Sequence, residues 1–441
     1  MSIKESSSTA IVVGGGLAGS EAAWQIARRG HPVVLYEMRP AVRTPVHRTS
    51  KLGELVCSNS FKSERLDTAS GLLKEEMRRC GSLILRIADR TRVPAGAALA
   101  VDRDRFAAGI TETLETTDGV EILREEVTSI PASGPAIIAT GPLVSDRLAD
   151  AIANFTGRKY LYFFDAVSPI VEAESIDRQI AFPGSRYGKG GDDYLNCPFS
   201  KKEYDAFHAA VLAAESPPHK EFENTPFFEG CLPIEELARR GLDTLRFGPM
   251  RPVGLDDPRT GRRPHAVAQL RQDNLAASHF SLVGFQTSLR WGEQERIFRM
   301  IPGLAKAEFV RLGMIHRNSY INAPTLLLST LQCRKRRDLF FAGQISGVEG
   351  YLESAASGLV AGINAARLLE GKEPLVLPPT TAIGALLHYI SSAEAMNYQP
   401  TNIAFGLLPP VAIRNRKERN RALIDRALTD LQKAVAGTIL I

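Results

Sequence analysis

The chain has 441 residues, 44% of them hydrophobic and 23% charged, with 54 Lys and Arg against 49 Asp and Glu. These proportions are those of a globular protein with two or three domains' worth of core. No apolar run is long enough for a bilayer span, and the polar, Ser-rich start from Met1 to Thr9 is not a signal peptide, so membrane, secreted and collagen-like classes are excluded.

In chain order, Ala10 to Val13 reads as a short buried strand running straight into Gly14-Gly15-Gly16-Leu17-Ala18-Gly19. Ala22, Ala23, Trp24, Ile26 and Ala27 then give a helix its apolar face, Gly30 stops it, and Pro32 to Glu37 is a second strand ending in an acid. This is a βαβ unit with a G-x-G-x-x-G turn. The first glycine makes the tight turn, the second lets the backbone approach a pyrophosphate, and the third lets helix and strand pack closely. The helix N–H groups face the phosphates, and Glu37 stands where a carboxylate takes the ribose hydroxyls of an adenosine.

Further along, Glu54 to Val56 is strand-like and leads into the polar turn Cys57-Ser58-Asn59-Ser60. Pro135 to Thr140 is another buried strand. From about Leu161 to Arg317 the pattern becomes irregular, with long loops at Gly184 to Asp193 and Met250 to Pro264. A second strand-turn-helix follows: Asp338 to Ala342, the turn Gly343-Gln344-Ile345-Ser346-Gly347, then a helix from Glu353 to Leu369 rich in small residues. Two nucleotide-contacting turns far apart in sequence suit a flavoprotein, one turn gripping the ADP half and the other returning to the ring. That return turn often carries an Asp; here it carries Gln344. The expected fold is α/β: a Rossmann-type FAD-binding domain in two parts, residues 1–160 and 326–441, with an inserted α+β domain at 161–325.

Residues 401–441 hold seven basic and three acidic side chains, a local charge of 7 − 3 = +4 on a nearly neutral body. Arg414, Arg416, Lys417, Arg419 and Arg421 fall on one predicted helix, and Arg334, Lys335, Arg336 and Arg337 form a second cluster. A basic tail of this kind suits a polyanionic partner. Five cysteines, at 57, 80, 197, 231 and 333, make no CxxC or zinc spacing, and the histidines are scattered, so no metal site is expected. A sparse, odd set of thiols without an export signal points to the cytoplasm.

Several segments together resemble the folate- and FAD-dependent tRNA uridine-5-methyltransferase family, TrmFO. They are GGGLAGSEAAWQIA at the fingerprint, ELVCSNSFKS at Glu54 to Ser63, RYGKGGDDYLNCPFSKKEY at Arg186 to Tyr204 and FFEGCLPIEELARRG at Phe227 to Gly241. LVGFQT at Leu282 to Thr287, HRNSYINAP at His316 to Pro324, FAGQISGVEGYLESAASG at Phe341 to Gly358 and FGLLPP at Phe405 to Pro410 complete the set. The related MnmG (GidA) family shares the FAGQ…GYLESAA stretch, while the segments around Cys57 and Cys231 discriminate better.

The resemblance implies methylation of C5 of a uridine in the tRNA T-loop. The carbon comes from 5,10-methylenetetrahydrofolate, leaving tetrahydrofolate; reduced FAD supplies the electrons and NAD(P)H recharges it. It makes Cys231 the nucleophile at C6 and Cys57 the base for the C5 proton, roles that the sequence leaves open to exchange. It extends cofactor contacts to Gly343, Gln344, Gly347, Glu349 and Gly350, beside those of Gly14 to Gly19 and Glu37. His316, Arg317 and Asn318 become the expected folate contacts, and the basic helix the tRNA contact, with no obligatory protein partner. The rival readings are the same chemistry on ribosomal RNA, an MnmG-like wobble-uridine modifier, and a FAD oxidoreductase of a small molecule.

Overall fold

The computed structural model describes residues 9–157, 161–188, 191–215, 232–396 and 398–437; for residues 161–166 and 315–317 it is described at the level of the backbone. Its centre is a five-stranded sheet in the order Leu339–Phe341, Ala136–Ile138, Ala10–Val13, Val33–Tyr36, Val120–Leu123, every neighbouring pair parallel. The four strands other than the Val120–Leu123 edge are buried along their whole length. A parallel sheet covered on both faces needs such runs, and this is why AIVV, VVLY, AII and LFF show no alternation. The first and last parts of the chain therefore meet in one sheet, as the two separated strand-turn-helix units predict.

The helices Leu17–Ala27 and Tyr351–Leu369 lie against each other on this sheet. A Cβ on Gly358 would overlap the Ala18 carbonyl, and one on Gly362 would crowd that of Ala22. The small residues of the later helix are what let two backbones approach this closely.

The predicted middle is more regular than its sequence suggests. Six antiparallel strands form one sheet in the order Phe182–Pro183, Tyr194–Phe199, Ala266–Gln272, His279–Leu282, Ile170–Glu172, Phe309–Arg311. Several have only two or three residues, too few to display a period. The sheet carries its own core, in which Phe199, Phe207, Phe285 and Phe298 pack with Tyr204 and Met250. An antiparallel pair, Leu161–Ala166 with Ile315–Tyr320, carries the chain between the two bodies in each direction.

Two local expectations change. Glu54 to Val56 is loop, and the strand begins later, at Ser60–Ser63. The Glu54 carboxylate accepts Arg48 N (2.8 Å), Thr49 N (3.1 Å) and Arg39 Nη1 (2.9 Å), which folds the loop back on itself. The C-terminal helix is Arg416–Val435, so Arg414 lies before it. Asn415 caps it, its Oδ1 accepting Lys417 N and Glu418 N. Leu423, Ile424, Ala427 and Leu431 bury one stripe of that helix. Among the described residues no helix is long and apolar enough to cross a membrane.

Candidate active site

A cavity of about 430 Å³ opens where the two bodies meet. It is walled by the turn Gly14–Ala18, the strand end Tyr36–Arg39, the Val56–Ser58 loop with Ser60 and Lys62, and residues Ala139–Ser145. Arg271 and Leu282 contribute from the six-stranded sheet, Gly284 and Gln286 from the loop after its His279–Leu282 strand, and Gly343, Gln344, Glu349, Gly350 and Tyr351 from the return turn.

The glycines of the fingerprint divide their work. Gly14 has φ +107° and packs on Ala139, where a side chain would be both strained and blocked. A Cβ on Gly19 would overlap the Gly14 carbonyl, so this glycine serves helix–strand contact and does not line the cavity. Gly16 has open space where its Cβ would be, on the cavity wall. It also caps a helix whose first turn has neither a capping side chain nor an acid. Unsatisfied N–H groups at an uncapped helix start, beside room for a phosphate, fit a dinucleotide.

Glu37 stands at the end of its strand and lines the cavity. Its carboxylate accepts Gly15 N (3.0 Å), Arg39 N (2.9 Å), Arg39 Nε (2.9 Å) and Arg39 Nη2 (3.1 Å). Burial works to raise its pKa, but Arg39 and these N–H donors carry it below the ordinary carboxylate value, so it is ionised. Beside it, burial and the Arg39 charge push His47 down to about 4 and leave the ring neutral.

On the return side, Gly343 (φ +81°) comes against Ala18, and its N–H donates to Ser357 Oγ (2.7 Å). Gln344 Nε2 donates to both oxygens of Glu349, each at 2.9 Å. The carboxylate missing at position 344 thus stands at Glu349, aimed by the Gln344 amide. Gly347 differs from the expected cofactor contacts: it lies off the cavity, where Tyr398 OH fills the space of a side chain.

Cys57 is half-buried on the cavity wall, whereas Cys80, Cys197 and Cys333 are buried. Burial pushes the Cys80 and Cys197 thiols up to about 12, so both are inert. The Cys57 backbone is tightly held. Tyr351 OH accepts Cys57 N (2.7 Å) and Ser58 N (3.1 Å), and the Cys57 carbonyl accepts Arg103 Nη2 (3.3 Å) and Arg311 Nη2 (3.2 Å). Arg271 donates to Asn59 Oδ1 (2.9 Å) and Ser58 Oγ (2.8 Å). Arg103, Arg271 and Arg311 were not legible as site residues; Tyr351 and Lys62 stood inside motifs already noted. Lys62 has φ +63° and reaches Glu353 Oε1 (2.9 Å) and Asn402 Oδ1 (3.0 Å).

Cys231 and the side chains of His316 and Arg317 lie outside the described residues. Asn318 is fully buried rather than presented to the cavity, and neither of its amide atoms has a partner among the described residues. The next residue, Ser319, donates its N–H to Pro142 O (3.1 Å), which ties this strand to the cavity wall. Of the basic tail, Arg414, Arg416, Lys417 and Arg421 are exposed and Arg419 is half-buried. The other cluster is partly structural: Arg334 donates to Ser391 O (3.2 Å) and Arg336 to Pro131 O (2.7 Å). Among the described residues no cluster suited to a metal ion occurs.

A parallel sheet with a glycine fingerprint and a return turn on the same cavity define a Rossmann-type dinucleotide-binding fold, and among the described residues one thiol, Cys57, stands on the cavity wall. Residues 9–373 match the family model described as Glucose inhibited division protein A. A Moorella thermoacetica protein named methylenetetrahydrofolate–tRNA-(uracil-5-)-methyltransferase TrmFO is 60% identical over 420 residues, covering 95% of this chain and 96% of its own. One of the same name from Heliobacterium modesticaldum is 57% identical over 435 residues, covering 98% and 99%. Aquifex aeolicus GidA shares the fold, with a TM-score of 0.69 at 19% identity over 98% of this chain and 74% of that one. The chain belongs to the TrmFO family, within the wider GidA group.

Proposed function

We propose that this protein methylates C5 of a uridine in the tRNA T-loop, drawing the carbon from 5,10-methylenetetrahydrofolate, with FAD as the bound cofactor and NAD(P)H as the reductant. The observation that carries the reading is the single cavity joining Gly16 and Glu37 to Cys57. It fits a dinucleotide at one end and puts a thiol within reach of a reacting base at the other. When bound, FAD supplies the hydride chemistry; Gly14 to Ala18, Glu37, Gly343, Gln344, Glu349 and Gly350 are the residues that would hold it. We read residues 161–325 as a domain inserted between the two parts of this cofactor domain.

C5 of uracil is a weak nucleophile. A thiolate adding at C6 forms an S–C6 bond and moves electron density to C5, which then attacks the one-carbon unit. The C5 proton must next pass to a base, and the one-carbon unit must break its bond to nitrogen and so release tetrahydrofolate. A hydride equivalent from the reductant must complete the methyl group, and the S–C6 bond breaks to return the thiolate. Cys231 takes the first role and Cys57 the second. In support, Ile234 N, three residues beyond Cys231, donates to Gln286 O (2.7 Å), and Gln286 lines the cavity. Glu235 is held there too, accepting Ser288 N (2.7 Å) and Thr287 Oγ1 (2.9 Å). His316 and Arg317, on the strand beside Pro142, are assigned to the folate; Asn318, buried away from the cavity, is not.

The tRNA contact is assigned to Arg414, Arg416, Lys417, Arg419 and Arg421. Cations at a helix N-terminus oppose its dipole, so this placement does nothing for the helix; it suits a surface that meets phosphates. The target base must be turned out of its loop to reach the cavity.

The test is methyl transfer to tRNA with methylenetetrahydrofolate and NAD(P)H, the product mapped by position. Yellow protein, 5-methyluridine in the T-loop and no product with S-adenosylmethionine alone are expected. Protein that stays colourless with FAD, or a product found only in ribosomal RNA, overturns the reading. For the thiols, RNA carrying 5-fluorouridine should be trapped covalently by Cys57→Ala and not by Cys231→Ala, because fluorine cannot leave as a cation. The reverse pattern exchanges their roles.

A further inference from the structure

We infer that Arg103, Arg271 and Arg311 hold Cys57 as a thiolate at neutral pH, so that it receives the RNA already deprotonated. The inference deepens the assignment of Cys57 as a base, but the charge state it describes exists without RNA and is measured without it.

Three guanidiniums from three different elements converge on four residues of chain. Arg103 begins the helix Arg103–Glu115, and its Nη1 donates to Leu55 O (2.8 Å) while Nη2 reaches Cys57 O. Arg271 comes from Ala266–Gln272 and holds Ser58 and Asn59. Arg311 ends Phe309–Arg311 and joins Arg103 on the Cys57 carbonyl; its buried Nε has no partner among the described residues. Among the described residues one carboxylate meets this group: Asp273, whose two oxygens accept Arg103 Nε, each at 3.0 Å. The contacts leave 3 − 1 = 2 positive charges in excess beside the loop.

The other groups named beside it among the described residues do not neutralise that excess. Tyr351 and Tyr194 are both raised above their ordinary values by burial, so both phenols are neutral. Arg48 adds a further cation near Arg311. Lys62, also on the cavity wall, is paired with Glu353. Burial and the Arg103 charge push Arg311 down to about 10, which leaves it protonated at pH 7. Burial opposes the Arg103 charge as well, but Asp273 carries its pKa above the ordinary value. A half-buried thiol facing this excess gains more from its negative charge than it loses in hydration. Cys197 is the internal contrast: fully buried with Arg178 as its one charged influence, it stays a thiol.

The arrangement suits the base role. A thiolate that has lost its proton to solvent beforehand can accept the C5 proton and become a thiol, with no further acid or base required at that step. The arginines never touch the RNA base in this account; they are positioning residues that set the charge of the group that does.

The measurement is alkylation of Cys57 by iodoacetamide as a function of pH on the intact purified protein, read by mass spectrometry of the Cys57 peptide. A free cysteine titrates near 8.5, and one beside arginines falls to about 3.5–7.5. The expected midpoint for Cys57 is below about 7.5. In Arg311→Gln the midpoint should rise by about one unit, the tenfold loss of thiolate at a fixed pH that one unit represents. Arg311→Lys should restore most of the shift, since it keeps the charge. A wild-type midpoint near that of a free cysteine overturns the inference even if no variant folds, and so does a midpoint that Arg311→Gln leaves in place. A low midpoint with no methyl transfer to any RNA would instead leave the inference standing and remove the proposed function.

Discussion

The phenol oxygen of Tyr351 accepts the backbone N–H of Cys57 at 2.7 Å, so the first residue of the return helix holds the thiol loop from the far end of the chain. The same oxygen accepts Ser58 N at 3.1 Å. Tyr351→Phe keeps the ring and strands both amides. A loss of about 1–3 kcal/mol in stability is expected, the cost of leaving buried donors unpaired. Urea unfolding measures it. A change within error would mean that water or a shifted loop satisfies those amides, and the loop is not held as described.

The second and third glycines of the fingerprint should fail in different ways. Gly16→Ala places a methyl in open space on the cavity wall, so unfolding should change by less than about 1 kcal/mol while flavin retention falls. Gly19→Ala overlaps the Gly14 carbonyl and should cost roughly 1–3 kcal/mol or more as helix and strand are forced apart. Calorimetry with flavin content by absorbance separates them. Equal destabilisation by the two changes would contradict the division of roles.

His47 gives the site a dependence on acid. Its folded pKa is lowered to about 4 from an ordinary 6.5, by burial and by Arg39. Between those values the unfolded chain binds the proton and the native one does not, so stability rises with pH across that window. The contribution is fully present above 6.5 and lost as pH falls through about 4. The slope should be at most roughly 1.4 kcal/mol per pH unit. His47→Gln should flatten this component of the denaturation midpoint against pH; an unchanged slope would assign the acid sensitivity elsewhere.

Reversing Arg416 and Arg419 to Glu should weaken tRNA binding and lower the log–log salt slope by about 0.7–0.9 for each lost phosphate contact. The helix itself should gain slightly, by about 0.3–1 kcal/mol, because acids suit a helix N-terminus. Weaker binding in a protein at least as stable cannot be ascribed to unfolding. Filter binding across a salt series is the measurement, and an unchanged slope would return this face to an ordinary solvated surface.

Much of the cofactor side was readable from the chain alone. The strand Ala10–Val13, the glycine turn, the helix after it and the return unit near Gly343 are local patterns, written by the size of a glycine and by unbroken apolar runs. The small residues at Gly358 and Gly362 belong to the same kind of signal, although their partners, Ala18 and Ala22, were not visible in it. The six-stranded sheet was missed because strands of two or three residues are too short to carry a period, and their pairing is set by partners elsewhere. Nothing local marks Arg103, Arg271 or Arg311 as neighbours of one thiol. Each is an ordinary arginine on its own element, and only the docking of the antiparallel sheet against the Cys57 loop brings their charges together. A turn's geometry is decided by the residues within it, so sequence determines it. The excess of charge around Cys57 is a sum over groups brought together in space, so it comes into being only when the chain has closed on itself.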